Sequence, residues 1–174
     1  MKMKRGLFIV FEGLDRSGKS TQSRKLHETF KALNMESELW QYPNRSTAIG
    51  DLINKYLRKE IELDDTAVHL LFSANRWETT KTLREKLNNG ISLIVDRYAY
   101  SGVAYTAAKE GFSLDWCKNC DNGLPKPDLV FFMDSQNEAL ANRQDFGAER
   151  YETTEFQKRV YTNFKKLCYF ENPT

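Results

Sequence analysis

The fold of this chain is decided by one short stretch, Gly13-Leu14-Asp15-Arg16-Ser17-Gly18-Lys19-Ser20. The stretch fits the pattern G-x-x-x-x-G-K-[ST], in which backbone N–H groups hold the phosphates of a nucleoside triphosphate. The apolar run 7–11 before it predicts a β-strand, and the residues after it predict a helix with Leu26, Phe30 and Leu33 on one face. Strand, glycine-rich turn and helix stand in the order that points the helix N-terminus at the phosphates. We therefore predict a phosphate-binding loop rather than a chance glycine turn.

The length and composition of the chain are those of one folded domain. Its 174 residues, of which 40% are hydrophobic and 29% charged, are enough to bury a core, and we treat residues 1–174 as a single domain. The formal net charge is only +2. We therefore expect no nucleic-acid partner, because nucleic-acid-binding proteins carry a strongly basic patch. No apolar run reaches the roughly 18 residues of a transmembrane helix, so we expect no membrane partner either.

The N-terminus and the cysteines bear on location. The basic segment 1–5 leads directly into the first predicted strand and lacks a small-residue cleavage site, so we do not interpret it as a signal peptide. The odd set Cys117, Cys120 and Cys168 is typical of reduced thiols in an intracellular protein. The first two have C-x-x-C spacing, but no second pair or histidine cluster accompanies them, and we interpret them as ordinary cysteines. We expect a cytoplasmic protein; the nucleus and the mitochondrion remain alternatives.

Predicted strands and helices alternate along the rest of the chain. Strands are predicted at 37–42, 91–96 and 128–134, the last two as buried strands. Helices are predicted at 49–57, from Asp64 or Asp65 to about 77, around 83–87, from Ser101 to about 109, at 135–142 and from about 154 to about 168. The segment between 110 and 127 is interpreted as turns. This alternation predicts an α/β fold with a parallel sheet and right-handed crossovers.

The loop and one carboxylate predict a site for a nucleotide and its metal ion. Lys19 is expected to reach the β- and γ-phosphates, and Ser20 is expected to be a ligand of Mg²⁺. Asp96 ends the strand predicted at 91–96, and the carboxyl ends of parallel strands border the crevice where open α/β sheets bind ligands. We therefore favour Asp96 as a partner of the metal ion over a residue that only caps a turn.

Arginines, most of them at the ends of predicted elements, indicate a second phosphate-bearing substrate. Phosphoryl transfer needs positive charge near the developing negative oxygens, and a guanidinium supplies it. The candidates are Arg16, Arg45, Arg76, Arg97, Arg143 and Arg150. Phe72 and Arg76 are spaced i, i+4 and share a helix face. From spacing alone, a stacked and hydrogen-bonded base and a core aromatic beside a surface arginine fit this pair equally well.

Five stretches carry a family resemblance. They are 11–22 (FEGLDRSGKSTQ), 42–47 (YPNRST), 71–78 (LFSANRWE), 96–104 (DRYAYSGVA) and 123–128 (GLPKPD). They occur in order, with the spacings of the family, and in them the chain resembles the thymidylate kinases of the eukaryotic and poxviral type. The resemblance implies the three-layer P-loop nucleoside monophosphate kinase fold, with a parallel sheet flanked by helices. It also implies a homodimer that transfers the γ-phosphoryl group of ATP to dTMP in the presence of Mg²⁺, giving dTDP for dTTP synthesis.

The resemblance implies roles for individual residues as well. The catalytic set would be Asp15, Arg16, Lys19 and Arg97. The residues for ATP would be Gly13, Leu14, Asp15, Arg16, Ser17, Gly18, Lys19, Ser20, Thr21, Arg143 and Arg150, with a lid at 143–153. The residues for dTMP would be Asp15, Tyr42, Arg45, Phe72, Arg76, Arg97, Gly102, Tyr105, Tyr151 and Gln157. In this set Phe72 would stack on thymine, Arg76 would bond the edge of the base, and Gly102 with Tyr105 would crowd the sugar 2′ position.

One departure and three other functions accompany the resemblance. Members of the family usually continue past the last residue of this chain, so we expect their last strand and helix to be missing and an apolar sheet edge to be exposed. A regulatory GTPase would need a downstream D-x-x-G and a guanine-reading N-K-x-D, which the sequence lacks. A deoxynucleoside kinase would need an acidic base after the second strand, where this chain has Arg45. That alternative, and a shortened nucleotide-binding protein with little or no catalysis, stay open.

Overall fold

The computed structural model describes residues 4–134 and 149–171, except the side chains of 169–171. The described elements are β1 (Phe8–Gly13), α1 (Lys19–Ala32), β2 (Ser37–Gln41), α2 (Ala48–Leu57), α3 (Asp65–Trp77), α4 (Thr80–Asn88), β3 (Ser92–Asp96), α5 (Ala99–Thr106), α6 (Leu114–Asn119), β4 (Leu129–Met133) and α7 (Thr154–Glu171). The helix expected at 135–142 lies outside the described residues. Within the described ranges, no helix combines the length and the hydropathy that a membrane crossing requires.

The four strands form one parallel sheet in the order β2-β3-β1-β4. The central strands β1 and β3 are buried along their whole length, as their continuous apolar runs predict. Successive side chains of β1 point to opposite faces: Phe8 packs in a cluster with Leu83 of α4, and Ile9 packs in another cluster with Phe30 of α1. Helices thus cover both faces of the sheet, and the predicted α/β architecture is confirmed.

The sheet brings the phosphate-binding loop beside the carboxyl end of β3. The loop joins β1 to α1, and β1 pairs with β3 in a register that places Phe11 opposite Asp96. The backbone N–H of Arg97, just after β3, donates to the carbonyl oxygen of Phe11 at 2.9 Å. Residues separated by more than 75 positions in sequence therefore meet at one edge of the sheet, as parallel strands require.

The predicted helix N-termini are partly confirmed. Asp64 caps α3, since its Oδ1 accepts hydrogen bonds from the N–H groups of Thr66 and Ala67 at 2.8 and 3.2 Å. The prediction that Ser101 begins a helix is wrong, because α5 starts two residues earlier. The N–H of Ser101 lies in the first turn of α5 and donates to the carboxylate of Glu12 at 3.1 Å. A buried side chain of β1 thus replaces the expected local cap.

Helix α6 lies in the segment that the sequence predicts as turns. Ser113 caps it by accepting a hydrogen bond from the N–H of Trp116 at 3.2 Å. The helix has only six residues, and an apolar periodicity of 3.6 residues cannot be recognised over so short a segment. The cap residue was the one local signal of this helix.

Two expectations about apolar residues are wrong. The sequence predicted Leu33 on the apolar face of the first helix, but α1 ends at Ala32, and Leu33 follows as its C-cap and is 64% exposed. In β4, predicted to be buried, Leu129, Val130 and Phe131 are 50%, 39% and 44% exposed. Among the described strands β4 pairs only with β1, so the sheet has the exposed apolar edge that was expected.

Candidate active site

The phosphate-binding loop holds its shape through backbone conformations that few residues adopt. Gly18, the residue before α1, has φ of +95°, in the left-handed region that favours glycine. Arg16 has φ of +63°, and Arg97 at the end of β3 has φ of +67°. Left-handed backbone at a residue with a side chain costs free energy and concentrates at functional sites. Both arginines are held in such conformations beside the same sheet edge.

Lys19 is buried inside the loop. Its side chain is 4% exposed, and its ammonium donates to the carbonyl oxygen of Leu14 and, at 3.4 Å, to the hydroxyl of Ser17. Burial, followed by the positive charge of Arg97, lowers the pKa of Lys19 from 10.5 to about 7. The ammonium therefore lacks a negative partner strong enough to offset its desolvation, which is what a bound polyphosphate supplies.

Ser20 and Asp96 meet as the sequence predicts. The hydroxyl of Ser20 donates to Oδ2 of Asp96. The other oxygen of Asp96, Oδ1, is buried without a hydrogen-bond partner among the described residues. A buried carboxylate oxygen with open lone pairs, next to a hydroxyl and a phosphate-binding loop, fits a Mg²⁺ ion held by few protein ligands and by substrate phosphates. Among the described residues, no group of three or more histidine, cysteine, aspartate or glutamate side chains could hold a metal ion.

Asp15 is the centre of a hydrogen-bond network. Its carboxylate accepts from the guanidinium of Arg97 at 2.5 Å, the hydroxyl of Tyr105 at 2.9 Å and the amide of Gln157 at 2.8 Å. Burial alone would raise the pKa of Asp15, but the charges of Arg97 and Lys19 and these hydrogen bonds hold it below its ordinary value. Asp15 is thus a fixed anion, oriented by three elements, α5, α7 and the turn after β3.

Arg97 is fixed as firmly as its partner. Its Nη1 donates to the carbonyl oxygen of Gly13 at 3.2 Å and to the hydroxyl of Ser101 at 3.1 Å. Its guanidinium lies 5.2 Å from the ring centre of Tyr105, within the range of a cation–π contact. A guanidinium that is oriented before any ligand binds loses little conformational freedom on binding a phosphate.

Phe72 and Arg76 line the same cavity as the phosphate-binding loop does. This cavity has a volume of about 210 Å³. Arg76 is only 2% exposed, so the reading of Arg76 as a surface residue is wrong. Its guanidinium pairs with Asp121, with Nε to Oδ1 at 3.2 Å and Nη2 to Oδ2 at 2.7 Å. Gly102 leaves room for it, because a Cβ atom there would lie 2.8 Å from Nη2 of Arg76.

Two acidic residues reach the expected phosphate-binding arginines. Glu149 accepts from Nη2 of Arg45 at 2.8 Å, and Glu152 accepts from Nε of Arg16 at 3.3 Å. Both carboxylates line the cavity. Their position in the expected lid at 143–153 was the signal available for them from sequence. In the structure these two carboxylates occupy positions beside the arginines where the phosphate groups of substrates are expected.

Tyr151 lines the cavity, whereas Gln157 does not line it and is buried beside Asp15. The ring of Tyr151 stacks on Phe156 with centroids 5.0 Å apart, and its hydroxyl donates to that of Tyr56 at 3.1 Å. The amide of Gln157 also donates to the carbonyl oxygen of Tyr151 at 3.0 Å. Gln157 therefore ties Tyr151 to Asp15.

Arg150 does not line the cavity. Its guanidinium donates to the carbonyl oxygens of Tyr56 and Ile61 and, from both Nη atoms, to the carboxylate of Glu62 at 2.7 and 2.9 Å. It also lies 4.2 Å from the ring centre of Tyr56. In this structure Arg150 binds the segment that follows α2, and its expected contact with ATP phosphates stays a prediction.

Most of the predicted site residues converge. The cavity is lined by Asp15, Arg16, Lys19, Ser20, Tyr42, Arg45, Phe72, Arg76, Asp96, Arg97, Gly102, Tyr105 and Tyr151. Gly13, Leu14, Ser17, Gly18 and Thr21 belong to the loop or the first turn of α1 behind this wall. Arg143 lies outside the described residues. The convergence of the loop, the arginines and the Phe72–Arg76 pair on one cavity follows from no single motif.

Sequence reasoning missed Glu12 and Asp121. Glu12 is fully buried, with a pKa that burial raises, and it accepts from the N–H groups of Tyr98 and Ser101 at 2.8 and 3.1 Å. It thereby holds the turn that carries Arg97. The position of Glu12 inside a strand of apolar residues was the available signal for a buried carboxylate. Asp121 lies in the segment interpreted as turns and had no such signal.

Comparisons with known proteins agree with this geometry. A family model described as thymidylate kinase matches residues 11–173. The thymidylate kinase of Homo sapiens is 56% identical over 167 residues, which are 96% of this chain and 79% of the human protein. The thymidylate kinase of Danio rerio is 52% identical over 167 residues, which are again 96% of this chain and 79% of that protein. The structure of thymidylate kinase from Candida albicans has a TM-score of 0.89 and 44% identity, covering 97% of this chain and 81% of that one. These matches confirm the three-layer P-loop nucleoside monophosphate kinase fold, and the chain that carries this loop and this cavity belongs to the thymidylate kinase family.

Proposed function

We propose that the protein transfers the γ-phosphoryl group of ATP to dTMP, giving dTDP for the synthesis of dTTP. The observation that carries the proposal is the shared cavity, because residues of the triphosphate loop and the Phe72–Arg76 pair line it together. A phosphoryl donor and a nucleotide acceptor can therefore be held side by side. Such proximity supplies a large part of the rate enhancement in phosphoryl transfer.

On the donor side, the loop N–H groups and Lys19 would bind the phosphates of ATP. Gly18, the N-cap of α1, has a left-handed backbone and provides no side-chain cap, so the first N–H groups of α1 would be available to the phosphates. Arg16 would contribute positive charge to the phosphoryl group in flight, and removal of one such contact commonly costs about a hundredfold in turnover. Arg143 is proposed to lie near adenine as part of the lid at 143–153.

On the acceptor side, the charges and rings of the cavity match the parts of dTMP. Arg45 and Arg97 would bind its phosphate, with Tyr42 in the wall of that pocket. Phe72 would stack on the base, and Arg76 would donate to its edge.

The sugar of dTMP would lie between Asp15 and the aromatic wall. The carboxylate of Asp15, ionised and held by Arg97, would accept from the 3′-hydroxyl. Tyr105 and Gly102 would leave no space for a 2′-hydroxyl, which favours deoxyribose. Tyr151 and Gln157 would cover the nucleoside and exclude water, so that transfer to water does not compete.

Mg²⁺ would be held by Ser20 and Asp96 together with the phosphates of ATP. The orphaned Oδ1 of Asp96 supports this assignment. When bound, the ion would neutralise charge on the β- and γ-phosphates and so lower the barrier to transfer.

A coupled ADP-release assay with Mg·ATP tests the proposal against its alternatives. The acceptors compared are thymidine, dTMP, dUMP and dCMP, and we expect the highest kcat/KM with dTMP. Highest activity with thymidine would identify a deoxynucleoside kinase instead. Absence of turnover with every acceptor, while ATP still binds in calorimetry, would identify a nucleotide-binding protein without catalysis.

We also propose a homodimer and a cytoplasmic location. Leu70 and Trp77 share one face of α3, spaced i, i+7, and are 49% and 39% exposed. A second copy packed on this face would cover both side chains. Light scattering after size-exclusion chromatography should give the mass of a dimer, and Leu70→Glu should give that of a monomer. A wild-type monomer would contradict the proposal, and fluorescence imaging of the tagged protein tests the location.

A further inference from the structure

The base-facing arginine of the cavity is held by a carboxylate that the proposed chemistry does not use. Asp121 follows α6, far from the phosphate-binding loop, and its side chain is 6% exposed. It forms two hydrogen bonds to the guanidinium of Arg76, of 3.2 Å to Nε and 2.7 Å to Nη2. A carboxylate bound along one edge of a guanidinium fixes both the position and the plane of that group.

The carboxylate is itself held from the helix that carries Arg76. The hydroxyl of Ser73, one turn earlier on α3, lies 2.7 Å from Oδ1 of Asp121. The indole of Trp77 donates to the carbonyl oxygen of Cys120 at 2.8 Å, which fixes the backbone next to Asp121. Three side chains of α3 thus form hydrogen bonds to residues 120 and 121 at the end of α6. Asp121 therefore has little freedom to change its position relative to α3.

The guanidinium is enclosed on a further side by Gly102. A Cβ atom at position 102 would lie 2.8 Å from Nη2 and 3.0 Å from Nη1, and the first of these contacts is closer than real Cβ contacts occur. Arg76 lines the cavity, and within the described part of the chain its Nη1 has no hydrogen-bond partner. The pairing with Asp121 therefore occupies one edge of the guanidinium and leaves Nη1 for a ligand.

We propose that Asp121 is the positioning residue of Arg76 and, through it, sets which pyrimidine the cavity accepts. This inference rests on the proposed function. Arg76 offers only donors, so a fixed Nη1 favours a pyrimidine with a carbonyl oxygen at ring position 4 over one with an amino group there. The negative charge of Asp121 also compensates a buried guanidinium, so that a neutral base can be bound without an unpaired cation in the cavity.

The test compares Asp121→Asn with a matched control, Asp115→Asn. Asp115 is an exposed carboxylate of α6 outside the cavity, and its variant should match the wild type. Asp121→Asn should raise KM for dTMP about tenfold or more, because a hydrogen bond to a charged group is weakened. KM for ATP should stay within about twofold, and the preference for dTMP over dCMP in kcat/KM should fall about tenfold.

Coupling to Arg76 separates positioning from a general structural role. Arg76→Met and Arg76→Met/Asp121→Asn should have the same KM for dTMP, because Asp121 acts only through Arg76. If Asp121→Asn does not fold, Ser73→Ala, which removes a donor to Asp121 but keeps both charges, should raise KM for dTMP about threefold. An unchanged KM in that variant would overturn the proposal.

Three further results would overturn the proposal. The first is that Asp121→Asn has the KM for dTMP and the base preference of the wild type, while Arg76→Met has a raised KM for dTMP. The second is an equal rise of KM for dTMP and KM for ATP in Asp121→Asn, with additive effects on KM for dTMP in the double variant. The third is an unchanged KM for dTMP in Arg76→Met. Calorimetric binding of dTMP gives the same comparisons without turnover, so a failure of the proposed catalysis is distinguished from a failure of this inference.

Discussion

The buried ammonium of Lys19 predicts that ATP binding takes up a proton. In the free protein burial and the charge of Arg97 lower the pKa of Lys19 from 10.5 to about 7. Above that pH the side chain is mostly neutral. Phosphates of ATP placed beside Lys19 favour the ammonium form and raise its pKa again. Binding above pH 7 must therefore be coupled to protonation of this one group.

The size of the effect follows from the pKa shift. A change from 10.5 to about 7 corresponds to roughly 5 kcal/mol, at 1.36 kcal/mol per pH unit. Between these two pH values the unfolded chain binds a proton at Lys19 that the folded chain does not, so the contribution of Lys19 to the free energy of unfolding rises with pH. Below pH 7 the buried ammonium lowers the free energy of unfolding of the ligand-free protein by the full amount that corresponds to the pKa shift. Bound ATP would offset this cost.

Isothermal titration calorimetry measures the proton directly. Titrations of ATP in buffers of different ionisation enthalpy give the number of protons taken up per ATP bound. If only the ammonium form binds, that number should rise from about 0.8 at pH 7.5 to nearly one at pH 8.5, and Kd should increase about eightfold over the same interval. The γ-phosphate of ATP is mostly ionised in this range, and its remaining proton would be released on binding beside a cation, so a net uptake of protons must come from the protein.

Two variants assign the proton to Lys19. In Lys19→Arg the guanidinium does not titrate, so proton uptake should vanish and Kd should not change between pH 7.5 and 8.5. Lys25→Arg, an exposed position of α1, should behave as the wild type. Equal proton uptake in the wild type and Lys19→Arg, or none in the wild type at pH 8.5, would refute the reasoning.

Four substitutions test other parts of the site. Arg16→Ala should lower kcat about a hundredfold or more, and near-normal turnover would count against its role in the transition state. Asp96→Asn should raise the Mg²⁺ concentration for half-maximal activity about tenfold, and an unchanged requirement would remove Asp96 from the metal site. Arg150→Met and Glu62→Gln should both lower the midpoint of thermal unfolding, because each removes the Arg150–Glu62 pair. Arg150→Met should in addition raise KM for ATP, as the expected contact with the ATP phosphates requires, and an unchanged KM in that variant would contradict this contact.

The parts of the site that the sequence predicted depend on local signals or on sheet geometry. The loop was recognisable because its strand, glycines, lysine and helix are consecutive. The meeting of Ser20 and Asp96, which are 76 residues apart, followed from the rule that parallel strands end at one edge. Phe72 required the family resemblance, since its spacing to Arg76 fits a core position equally well.

The parts that the sequence did not predict depend on side-chain direction and on contacts between distant segments. Nothing in the sequence around Arg150 indicates that its guanidinium points to Glu62 rather than into the cavity. Asp121 lies in a turn-rich segment, and its importance arises only when α3 packs beside it. Ser101 was predicted to cap a helix because serine is a common N-cap residue. In the structure it lies within α5, and its N–H donates to the carboxylate of Glu12, a residue of β1. Such contacts are properties of the packed chain, and no local pattern encodes them.

The acidic residues in the cavity give a physical reason for the stability of the free site. Arg16, Arg45 and Arg97 line one cavity, where guanidinium groups without anionic partners would repel one another. Glu149 pairs with Arg45, and Glu152 pairs with Arg16, so that each of these two arginines, for which a phosphate-binding role is proposed, already has an anionic partner. If a phosphate binds there as proposed, it would exchange one anion for another, and the arginine would not be left without compensation. The Arg45–Glu149 bridge is partly solvated, so release of its carboxylate should cost less than release of the carboxylate of the more buried Arg16–Glu152 bridge. This arrangement lets the cavity hold its cations in place before the substrates arrive.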